Sequence, residues 1–140
     1  MCIRDRLQPV SGEGIEGSAN EWFVSPDGSQ LVFSVTSRAT ILPLKGGEPR
    51  KVDLEPAERL AGFTADSHAV FVLYKSGNTS AAIYRVDLAT GKRSLLRELV
   101  LPEGYSIDSL RITPDGRRYA LTRSSKLSEL YMAEGIDRNR

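Results

Sequence analysis

Cysteine and histidine are nearly missing: one of each stands among 140 residues. A disulfide framework needs paired cysteines, and a Cys/His zinc site needs several such ligands, so both are excluded. A surplus of one charge sign is missing too. Nineteen Lys and Arg face eighteen Asp and Glu, for a formal net charge of +1. That balance gives no electrostatic basis for binding nucleic acid or an anionic membrane surface. Long apolar runs are absent. The longest good one, Ala69 to Tyr74, falls far short of the roughly 18 residues of a membrane span. Aromatic residues make up only 7%, but apolar residues reach 40% and charged residues 26%. Such a mixture buries a real core and is unlike that of a disordered chain. The length suits one ordinary domain or a piece of a larger one.

The opening Met1-Cys2-Ile3-Arg4-Asp5-Arg6 carries charges with no apolar stretch behind them, so it is no signal peptide. The string resembles translated sequencing-adapter DNA, a contaminant of metagenomic gene predictions. Residues 1–6 are therefore set aside from the fold, and with them Cys2, the sole cysteine. The expectation that follows is a gene that continued upstream and a chain that is a C-terminal fragment.

What the sequence does contain is one pattern three times over. Trp22-Phe23-Val24-Ser25-Pro26-Asp27-Gly28, Leu60-Ala61-Gly62-Phe63-Thr64-Ala65-Asp66-Ser67 and Leu110-Arg111-Ile112-Thr113-Pro114-Asp115-Gly116 align, with aspartates 39 and 49 residues apart. In each copy a short apolar strand runs into a turn. Proline presets φ, aspartate caps the local backbone, and glycine accepts positive φ. Ser67 in place of glycine predicts a somewhat different turn in the second copy. A second strand with period-2 alternation follows: Leu31 and Phe33 share one face, Phe71 and Leu73 another, Tyr119 and Leu121 a third. Third strands are expected at 40–44, 82–88 and 129–133. Pro43 is read as a bulge or the strand's end, because a ladder interior cannot use proline. Glycine-bearing hairpin signals at 45–48 and 89–92 lead to fourth strands from Arg50 and from Arg93, and the third copy lacks one.

Four antiparallel strands on a period of about 40–45 residues describe a β-propeller blade. The expected fold is all-β: a partial β-propeller of about three four-stranded antiparallel blades, the last without its outer strand. The expected boundaries are a linker or blade remnant at 7–18, blades at about 19–55, 56–101 and 102–135, and a tail at 136–140. Closed propellers need about 4–8 blades, so upstream blades of the same chain are implied partners.

The Ser25-Pro26-Asp27-Gly28 and Thr113-Pro114-Asp115-Gly116 turns resemble those of bacterial TolB-like, WD-repeat-like propellers. Segments 41–50, 83–93, 112–120 and 127–135 together are similar to the carboxyl-terminal propeller of large bacterial serine/threonine protein kinases of the acidobacterial type. The resemblance covers about 18–135. It implies a sensory or protein-interaction module joined to an upstream kinase domain, with an unknown protein or small ligand as partner. Its compartment is left open between cytoplasm and the periplasmic side of a membrane-anchored protein. Two alternatives stay beside it: a TolB-like periplasmic interaction propeller, and the gating propeller of a prolyl-oligopeptidase-like hydrolase. A hydrolase domain should follow such a propeller, and Arg140 comes soon after the last copy.

No catalytic signature is found. Kinase HRD-type and DFG motifs are absent. Gly12-Glu13-Gly14-Ile15-Glu16-Gly17 has a phosphate-loop spacing, but its glutamates repel phosphate and no helix pattern follows. Gly91-Lys92 lacks the glycine a P-loop needs five positions earlier, where Val86 stands, so it is read as a hairpin turn. His68, the only base candidate, is read as a solvent-facing residue at a strand end. Arg117, Arg118 and Arg123 are read as a solvated face, and Trp22 as an inner-strand core position. The residues singled out, Pro26, Asp27, Gly28, Asp66, Pro114, Asp115 and Gly116, are assigned structural turn roles. No catalytic residue, metal ligand or cofactor is expected, and neither is contact with nucleic acid or membrane.

Overall fold

The fold is seen in a computed structural model, which describes residues 9, 21–35, 38–77 and 80–125. Ten strands account for the regular structure of those residues. A first sheet runs in the order β1 (Trp22–Val24), β2 (Gln30–Val35), β3 (Arg38–Pro43), β4 (Arg50–Asp53). A second sheet follows the same meander: β5 (Glu58–Phe63), β6 (Ala69–Ser76), β7 (Ser80–Asp87), β8 (Arg93–Val100). A third pairs β9 (Tyr105–Ile112) with β10 (Tyr119–Ser125). Every pairing is antiparallel. The chain is thus all-β, two complete blades and part of a third. The expected strand at 129–133, the opening hexamer and the glycine-spaced stretch at 12–17 lie outside the described residues.

Pro43 closes β3 opposite Gln30, at the last rung, where a missing N–H interrupts nothing. The blades touch through their first strands, β1 against β5 and β5 against β9.

The middle sheet explains how the blades stack. Residues 69–73 of β6 are all buried, although a half-exposed strand would alternate. Alternation is still there, but both faces are covered. Val70 and Val72 pack with Val32, Ala39, Ile41 and Leu54 of the first sheet region. Phe71 and Leu73, one residue out of phase, pack with Ile107, Leu110 and Ile112 of β9. Each such side chain, fully buried, stabilises by roughly 1.5–3 kcal/mol. Among the described residues β10 has no such cover on its outer face, where Ala120, Thr122 and Ser124 are exposed.

Trp22 departs from the core position expected of it. Phe23 pairs with Val32 and packs on the first core, so its neighbour Trp22 must point to the opposite face. There it is 40% exposed and stacks on Phe33 with ring centroids 4.5 Å apart.

The crossover from β4 to β5 is fastened by one arginine. Arg93 meets the two Glu58 oxygens at 3.1 Å each and donates to the Asp53 carbonyl at 3.0 Å. Glu58 also accepts the Glu55 N–H at 2.7 Å. Its side chain is only 2% exposed, so this pairing neutralises a buried carboxylate. The Glu58 hydrogen bond in turn raises the Arg93 pKa.

Candidate functional site

The three repeated turns share one geometry. Ser25, Thr64 and Thr113 each donate a hydroxyl to the aspartate two residues on, at 2.6, 2.5 and 2.5 Å. The same hydroxyls accept the N–H that opens the next strand: Gln30 at 2.9 Å, Ala69 at 3.1 Å and Arg118 at 3.1 Å. Each aspartate also accepts a second backbone N–H, from Ser29, His68 or Arg117, at 3.0 Å. These bonds hold the Asp27, Asp66 and Asp115 carboxyls below the usual carboxylate range. The hydroxyl two residues back is the largest cause in every copy. Carboxylates so engaged serve their own turns. Among the described residues no group of three His, Cys, Asp or Glu is placed to hold a metal ion.

The second turn was expected to differ, and it does not. Ser67 takes φ 60°, beside 68° at Gly28 and 70° at Gly116. Serine accepts the left-handed conformation that the repeat requires, at the steric cost glycine avoids. Proline precedes Asp27 and Asp115, but Ala65 precedes Asp66. The structure supplies a reason: the Ala65 N–H donates to the Pro114 carbonyl of the next turn at 2.9 Å, a bond proline could not make. Gly116 lies against Phe71, so a Cβ there would sit 3.3 Å from that ring. The turns therefore link neighbouring blades as well as closing their own hairpins.

None of the seven turn residues lines the cavity that borders β5 and β9. That cavity holds about 830 Å³ and is bordered by the residue before β1, by the start of β5 and by the second half of β9. Glu21 borders it from the approach to β1, Glu58, Arg59 and Leu60 from β5, and Asp108 to Arg111 from β9. Lys75 of β6 reaches in and donates to the Ile107 carbonyl. Burial, then the nearby Arg59 cation, lowers the Lys75 pKa, and Asp108 opposes this in part. Arg59 donates to the Asp108 carbonyl at 3.4 Å, Glu21 accepts the Ser34 hydroxyl, and the Arg111 guanidinium stands 4.8 Å over the Phe23 ring.

A smaller cavity of about 360 Å³ lies beside the second turn, lined among others by Asp66, Ser67, His68 and Arg85. His68 is exposed, one residue before β6, and the Arg85–Asp66 pair beside it spans 3.5 Å. Gly91 and Lys92 form a hairpin turn in which the Gly91 N–H donates to the Asp87 carbonyl at 2.8 Å. Arg117 and Arg118 are exposed, and Arg123 stands 4.7 Å over Tyr105.

Two sets of residues escape a reading of the sequence. The turn hydroxyls were visible as Ser or Thr at the same place in all three copies. The cavity charges were visible as Glu58-Arg59 and Asp108, Arg111 interrupting otherwise apolar first strands.

Sheets of this shape and order define the class: a part β-propeller. The solved structure of TolB from Acinetobacter baumannii superposes with a TM-score of 0.52 at 21% identity, covering 76% of this chain and 27% of that one. The likeness is one of fold, and the chain spans just over a quarter of that protein's length. No protein-family model matches the chain, and no curated protein matches it.

Proposed function

We propose that the chain is a non-catalytic propeller segment serving as a sensory or protein-interaction module, with its partner received in the cavity that β5 and β9 border. The observation that carries this reading is the convergence of all three sheets on one charged, open cavity. Function in propellers lives in sites grafted on the fold, and this cavity, at about 830 Å³, is roomy enough to receive a partner's segment. The resemblance of segments 41–50, 83–93 and 112–120 adds the finer reading, the carboxyl-terminal propeller of a bacterial kinase-type signalling protein completed by upstream blades. The likeness to TolB favours a second reading, an interaction propeller with no enzyme attached.

A photo-crosslinking side chain at Ser109, inside the cavity, tests the module. It should capture a discrete partner in the native host, and the same group at Leu95 on β8 should not. Capture from Leu95 alone would overturn the reading. Turnover of ATP or a peptide, abolished by a point change in this chain, would overturn the non-catalytic part. Genomic sequence upstream of Leu7 separates the two finer readings: a kinase domain supports the first, more blades without one the second.

A further inference from the structure

We infer that the cavity bordered by β5 and β9 docks a carboxylate carried on a peptide segment, received between Arg59 and Lys75. This inference deepens the interaction-module reading and rests on it. It starts from a charge left without a counter-ion. Arg59 donates to the Asp108 carbonyl at 3.4 Å, and Lys75 donates to the Ile107 carbonyl. Both acceptors are neutral, so neither cation is neutralised by the group that positions it. The ion pairs among the described residues are Arg38–Asp53, Arg85–Asp66 and Arg93–Glu58, and neither Arg59 nor Lys75 belongs to one.

The carboxylates bordering the cavity have other hydrogen-bond partners. Glu58 is held by Arg93 on both oxygens. Glu21 accepts the Ser34 hydroxyl, and Asp108 accepts the Ser124 hydroxyl at 2.9 Å. Asp108 still favours the Lys75 ammonium, but burial and Arg59 outweigh it. The site therefore holds two neighbouring donors of positive charge, one of them, Lys75, half-buried. An entering carboxylate replaces the hydration lost to that burial, and its two oxygens suit a guanidinium beside an ammonium.

The size of the cavity argues for a peptide over a free anion. A carboxylate occupies a small part of about 830 Å³.

The test uses the full chain and a fluorescent, end-capped hexapeptide of alternating Glu and Leu, followed by anisotropy at low salt. The peptide should bind, and its Gln-for-Glu version should bind at least tenfold more weakly. Arg59→Gln and Lys75→Gln should each weaken the acidic peptide about tenfold with the denaturant midpoint unchanged, whereas Arg117→Gln on the outer surface should have no effect. Free glutarate at concentrations matching the peptide should leave it bound. Displacement by equimolar glutarate would mean a site for small dicarboxylates and overturn the peptide assignment. Equal affinity for the Gln peptide, or binding insensitive to both cavity variants, overturns the inference while the crosslinking result at Ser109 stands or falls separately.

Discussion

Ser67→Gly should stabilise the protein, and the expected gain can be assembled from three terms. Ser67 is a non-glycine residue with φ at 60°, which costs an L-residue about 1 kcal/mol or more relative to glycine. Its residue is 3% exposed and its hydroxyl makes no hydrogen bond within 3.5 Å, which costs roughly 1–3 kcal/mol. The hydroxyl does lie near the Asp27 carboxyl, where it gives the smallest of the contributions lowering that pKa. This recovers part of the burial cost and places the second term at the low end. Against both stands the greater freedom of glycine in the unfolded chain, about 0.5–1 kcal/mol. The balance favours glycine by about 1 kcal/mol, which raises Tm by roughly 2–5 °C. Urea unfolding followed by tryptophan fluorescence, with Trp22 as the reporter, measures it directly. The slope should stay constant and the midpoint should rise. A midpoint equal to or below that of the parent protein would refute both the strain and the burial cost ascribed to Ser67.

Other perturbations probe the same structure. Gly28→Ala and Gly116→Ala share the left-handed backbone, but a Cβ at Gly28 meets nothing within 4 Å and one at Gly116 meets Phe71 at 3.3 Å. The first should lose about 1 kcal/mol and the second measurably more, by denaturant midpoint; equal losses would deny the packing of the third turn on the second blade. Arg93→Met leaves the buried Glu58 carboxylate without its counter-ion and should destabilise by about 3 kcal/mol, a loss Glu58→Gln in the same chain should partly restore. Acid should unfold the protein progressively. Asp27, Asp66, Asp87 and Asp115 all have folded pKa values below the unfolded ones, so their contribution is complete above the ordinary carboxylate range and fades as pH falls through the lowered values. Thermal scans should show a plateau above about pH 5 and a fall below about pH 4; a stability that rises on acidification would contradict the turn bonding.

The fold was legible because its punctuation is local. A hairpin turn such as Thr113 to Arg118 is settled by five or six adjacent residues, and repetition multiplied that local signal. What was illegible depends on neighbours far along the chain. Nothing near Trp22 says which face of a three-residue strand it will take; Phe23 wins the core because it stands opposite Val32. Ala65 looked like a lapse from the Pro-Asp-Gly pattern until the Pro114 carbonyl, 49 residues away, was seen to need its N–H. The cavity was hidden for the same reason. Glu58, Lys75 and Asp108 are ordinary charged residues in sequence, and only the meeting of three sheets turns them into one site.

The double-sided burial of β6 has a dynamic corollary. A sheet with one wet face can loosen while the rest of the molecule stays folded. Residues Ala69 to Leu73 have no such freedom, because one set of their side chains is gripped by the first sheet and the interleaved set by β9. Opening either interface strips cover from this one strand, so the amides of β6 should exchange with solvent only when the whole described fold opens, while β10 exchanges through small local excursions. The middle strand is in that sense the clock of the molecule, and its slowest protons report the lifetime of the folded state.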